Sequence, residues 1–133
     1  MRNIGFRFIF AIVFFYTLYP IPYTLAQELS SKELVRMSWE ASGKNDLEKV
    51  LELTNKCIDL YTQKAKELEV KLTGFPVRGE EEKYQELNDV ATCSFIQAEA
   101  LMNHGKADEA KKLFQKIIDD YKWSEAWDPR GWF

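Results

Sequence analysis

The side chains here that could do covalent or metal chemistry are few: two cysteines, Cys57 and Cys93, and one histidine, His104. With the cysteines bonded to each other, one histidine cannot assemble an ordinary zinc site. A serine–histidine–aspartate site could recruit only His104, and the sequence has neither a nucleophile elbow nor a glycine-rich phosphate loop. His104 precedes Gly105 at an expected helix end, where a cationic ring suits the negative pole of the helix. The carboxylate clusters, Glu80 to Glu82 and Asp119-Asp120, read as helix-start and solvated-face residues. No catalytic residue, cofactor or metal is therefore assigned. What remains is thiol chemistry, because two cysteines in an exported chain either form a disulfide or persist as buried thiols.

Export is read from the N-terminus. Arg2 and Arg7 supply a positive stretch ahead of an apolar run from Phe8 to Tyr19 that only Thr17 interrupts. Pro20 and Pro22 follow, and Thr24-Leu25-Ala26 offers the small-x-small pattern that signal peptidase accepts before Gln27. At ~1.5 Å per residue the run covers ~18 Å, short of a ~30 Å bilayer core. We expect residues 1–26 to be a cleaved signal peptide and the protein to be secreted or periplasmic, with no membrane span after cleavage; an uncleaved N-terminal anchor is the alternative. Gln27 stands where a lipoprotein would carry its cysteine. The remainder suits one small domain, a helical part at 27–122 and an aromatic tail at 123–133. A domain this size buries only ~60–70% of its unfolded surface, so its stability margin is thin. Loss of Arg2 and Arg7 reduces 18 basic residues to 16, against 21 acidic ones. That balance disfavours nucleic acid and anionic membrane surfaces as partners.

The elements that position the thiols read as helices throughout. Ser30-Ser31-Lys32-Glu33 forms a capping-box sequence ahead of a helix that carries Leu34, Val35, Met37, Trp39 and Ala41 and stops at Gly43. Asn45-Asp46 caps a second helix, whose apolar positions recur every three or four residues from Leu47 through Cys57 to Leu72, until Gly74 and Pro76 end it. A third starts at Glu80-Glu81-Glu82 and runs through Tyr84, Leu87, Ala91, Phe95, Ala98, Leu101 and Met102. A fourth starts near Ala107 and carries Ala110, Leu113, Phe114, Ile117, Ile118 and Tyr121. No stretch alternates with period two, so no strand is assigned. Short connections make neighbouring helices antiparallel. About the turn at Pro76, Cys57 lies nineteen residues before and Cys93 seventeen after, a height difference of only ~3 Å. We predict a Cys57–Cys93 disulfide, worth roughly 3 kcal/mol through restriction of the unfolded chain.

Ala98, Gly105, Ala110 and Phe114 occur in the phrase AEALMNHGKADEAKKLFQKII: a small residue at a helix contact, a turn glycine, alanine at the closest crossing, then an aromatic. From Ala91 to Tyr121 this resembles the tetratricopeptide repeat. A weaker copy, SWEASGKNDLEKVLELTNKCIDLY, puts Gly43 in the turn role and Val50 where alanine is usual. Ala107 and Ile117 depart from the family pattern, and Gly43 and Gly105 are 62 residues apart against a period of ~34. The resemblance implies an all-α fold, a solenoid fragment of about four helices in antiparallel hairpins. It also implies a protein or peptide partner bound by exposed polar residues of the first and third helices: Arg36, Glu40, Asn88, Thr92, Gln97 and Asn103. Two repeats are fewer than the three or so a solenoid needs. A disulfide, a capping tail or a partner must compensate, or the chain is part of a longer repeat protein. The tail WSEAWDPRGWF holds Trp123, Trp127 and Trp132. It reads as a segment folded over the end of the fourth helix, as a partner-docking patch, or as a sugar-stacking surface. The expected function is an extracytoplasmic adaptor; a structural end-piece with no ligand of its own and a glycan-binding module are the alternatives.

Overall fold

The computed structural model describes residues 29–128 together with 131 and 132, and side chains from 29 to 126. The expected signal segment lies outside the described residues. Helix α1 (Ser31–Gly43) opens on Ser30, whose hydroxyl accepts from the Glu33 amide while the Glu33 carboxylate accepts from the Ser30 amide. That reciprocal pair satisfies two orphan donors. Helix α2 (Leu47–Glu69) is capped by Asp46, which accepts from the Lys49 amide at 3.0 Å. It ends before the expected Leu72. The Lys71 and Leu72 amides instead reach Leu68 and Glu69 in tighter three-residue turns, because Gly74 and Pro76 leave the next turn without helical partners.

The third helix does not start at Glu80. A 3-10 turn at Glu81–Tyr84 leads into helix α3 (Gln85–Asn103). Glu81 folds back to accept the Gly79 amide at 2.9 Å, which holds its carboxyl below the ordinary range. Helix α4 (Ala107–Asp120) follows the turn at Gly105. Beyond it, β1 (Trp127–Asp128) and β2 (Gly131–Trp132) pair antiparallel, with Trp127 opposite Trp132. This corrects the expectation of no strands. Two residues per strand are too few for alternation to register in sequence.

The fold is all-α. α3 is its central element, packing against α1, α2 and α4 at once. Cys93, Ile96 and Ala100 of α3 pack with Leu34, Ala41, Val50, Leu53 and Cys57. Nearer its start, Leu87, Val90 and Ala91 join Ala65, Leu68 and Tyr121. Ala98 and Ala110, the two small residues of the repeat phrase, are both buried with Leu101 in a third cluster, beside Phe114.

The α1–α2 and α3–α4 connections share one hydrogen-bond pattern. The Lys44, Asn45, Asp46 and Val50 amides donate to the carbonyls of Ala41, Ser42, Ala41 and Asp46; sixty positions on, His104, Gly105, Lys106 and Ala110 donate to Leu101, Met102, Leu101 and Lys106. The left-handed residue is Gly105 (φ 77°) in one turn and Asn45 (φ 57°) in the other. Asn45 therefore takes the turn role, and Gly43 is the last helical residue of α1. Asparagine is among the few side chains that tolerate this conformation. The offset between hairpins becomes 60 rather than 62.

Candidate functional site

An open aromatic row crosses three helices. Trp39 of α1 lies 6.5 Å from Phe95 of α3, centroid to centroid, and Phe95 lies 5.7 Å from Phe114 of α4 in an edge-on contact. Trp39 is 40% exposed and Phe95 38%. Along the same helices Met102 is 51% exposed and Ile118 63%. Edge-on pairing orients the rings and adds ~1 kcal/mol per pair beyond area burial. Arg36 and Glu40 form an ion pair on the exposed side of α1, a turn from Trp39. A face of this kind, with aromatic and thioether groups beside an ion pair, suits apolar side chains of a partner.

Only half of the predicted polar groove is exposed. Arg36, Glu40 and Asn103 face solvent, whereas Asn88, Thr92 and Gln97 are buried. The reason is the central place of α3: with neighbours on several sides, it leaves open only the stripe bearing Phe95 and Met102. Gln97 donates to Asn55 of α2 at 2.9 Å. Asn88 donates to the Glu81 carbonyl at 3.2 Å and accepts the Glu125 amide at 2.9 Å, so it ties the tail to the start of α3. Phe95 and Met102, read from spacing as core, lie outside it. The seam to α2 is formed by Val90, Cys93, Ile96 and Ala100.

Residues 121–126 fold back, but over the α2–α3 junction and not over the end of α4. Tyr121 is buried against Ala65, Leu68 and Leu87. The Trp123 amide donates to Glu69 at 3.4 Å, and its ring meets Phe75 edge-on at 5.5 Å, with the Lys122 ammonium 4.9 Å from the ring centre. Burial holds the Glu69 carboxyl above its ordinary range even so. Trp123 thus has partners within the fold. The side chains of Trp127 and Trp132, the other two docking candidates, lie outside the described residues.

His104 caps α3, its Nδ1 2.8 Å from the Ala100 carbonyl. Cys57 and Cys93 share one core cluster, where both stand as free buried thiols. Among the described residues, no group of three or more His, Cys, Asp and Glu side chains is placed to hold a metal. No helix among them is long and apolar enough to cross a membrane. Comparison with known protein families, curated proteins and solved structures finds no match to this chain.

Proposed function

We propose that the chain is an extracytoplasmic adaptor of tetratricopeptide-like build that holds an amphipathic helix of a partner protein on the open face of α3 and α4. The sixty-residue correspondence between the hairpins carries this reading. On the first hairpin, Leu53 and Cys57 of α2 are buried beneath α3, with Ile58 packed beside them. Their counterparts on α4 are Leu113 and Ile117, which are only half-buried, and Ile118, which is exposed. The second hairpin therefore presents, uncovered, the positions on which the first receives a helix. A partner helix with apolar residues three and four apart fits such a surface. The Arg2/Arg7 and Phe8–Tyr19 pattern supports an extracytoplasmic site of action.

The same face supports a second reading, in which it packs another hairpin of a larger repeat assembly. Crosslinking the mature chain, beginning at Gln27, in its native compartment identifies the partner, and binding is then measured with purified components. Phe95→Ser and Ile118→Ser each weaken binding by about tenfold or more, and Lys64→Ala leaves it unchanged. Unchanged affinity in both serine variants rejects the reading. Self-association as the only interaction, lost in those variants, selects the structural alternative.

A further inference from the structure

Cys57 and Cys93 are the buried bond-forming side chains that the binding face does not use. Each lies midway along its helix, each is 0% exposed, and both belong to the same core cluster. The Cys57 sulfur lies 3.9 Å from the Asp89 carbonyl oxygen. Asp89 is one helical turn before Cys93 and on the same face of α3. Leu34 and Ala41 of α1 complete the cluster that encloses both thiols. α2 and α3 therefore each place one buried cysteine in the same core cluster, across the seam where the two helices pack, as a disulfide between neighbouring helices requires.

We propose that Cys57 and Cys93 close into a disulfide while the chain folds in an oxidising compartment, making α2–α3 a covalently fixed pair on which α1 then seats. The oxidant is an external disulfide, that of a thiol–disulfide oxidoreductase or of glutathione. One cysteine thiolate attacks it, forming a mixed disulfide and releasing one thiolate. The second cysteine thiolate attacks the protein sulfur of that mixed disulfide, closing Cys57–Cys93 and releasing the other thiolate. Two protons leave the cysteines, and two electrons reduce the external disulfide to two thiols. Timing follows from burial. Contact with Cys57, and then desolvation, push the Cys93 thiol far above its ordinary range. The folded pair thus offers little thiolate and no path to a reagent.

The full chain is produced with export into an oxidising compartment, purified without reductant, denatured in iodoacetamide and digested. The peptides bearing Cys57 and Cys93 are expected joined, two hydrogens lighter than the free peptides together, and separable by reduction. Two carbamidomethylated cysteines in the unreduced chain overturn the proposal. With reduced chain and glutathione disulfide, closure in denaturant is expected to run at least ~100-fold faster than after refolding. Equal rates overturn the coupling to folding. The closed form should melt roughly 10–20 °C above the reduced form, a difference that vanishes in the Cys57→Ala, Cys93→Ala double variant. Identical melting of closed and reduced wild-type chains overturns the structural role.

Discussion

Asp89 accepts the Ser31 hydroxyl at 2.6 Å and the Gln85 amide at 2.8 Å. Burial nevertheless holds its carboxyl above the ordinary carboxylate range, because desolvation outweighs both donors. The folded chain therefore binds this proton more tightly than the unfolded chain. Its contribution to stability is complete below the unfolded value of about 4 and is lost as pH rises through the folded one. Asp89→Asn abolishes the titration, so the variant should gain on the wild type as pH rises from about 4 to 7; urea unfolding at both ends checks the sign. Asn88 offers a neutral counterpart. Asn88→Ala strands the Glu81 carbonyl and the Glu125 amide, at a cost of about 1–3 kcal/mol in the same assay. Neither residue announces itself in sequence. Asn88 looks like a surface position until Glu81 and Glu125 are found on either side of it.

The two interhelical turns test whether the hairpins are equivalent. A Cβ at Gly105 would meet nothing within 4 Å, so any penalty there comes from its positive φ alone. Gly105→Ala should cost about 1–2 kcal/mol and Gly105→Asn less. Conversely, Asn45→Gly should be neutral or stabilising, and thermal melts rank the three variants. Caps and turns of this kind were largely legible. Ser30 with Glu33, Asp46 and Gly105 act through bonds spanning three or four residues, which the sequence displays directly. Element ends were less so. α2 stops at Glu69, and α3 begins through a 3-10 turn, because the path of the 70–80 segment depends on what Glu81 and Tyr84 pack against.

At the scale of the molecule, the residue that follows α4 belongs to the core: Tyr121 is 1% exposed and closes the α2–α3 junction. Tyr121→Ala should cost about 3 kcal/mol and lower the melting temperature by roughly 10–20 °C, whereas a Trp39→Ala change on the open row should move it by far less. The number of helices, their antiparallel order, the small-residue crossing at Ala98 and Ala110, and the common height of Cys57 and Cys93 follow from periodicity, caps and chain length. Those quantities depend on neighbours along the chain and on a fixed rise per residue. The solvent-facing side of α3 has no such local cause. Its spacing is compatible with several buried faces. The positions of α1, α2, α4 and the folded-back tail together decide that Asn88, Thr92 and Gln97 lie inside while Phe95 and Met102 lie outside. The open aromatic row is thus a product of long-range packing, and only the tertiary structure decided it.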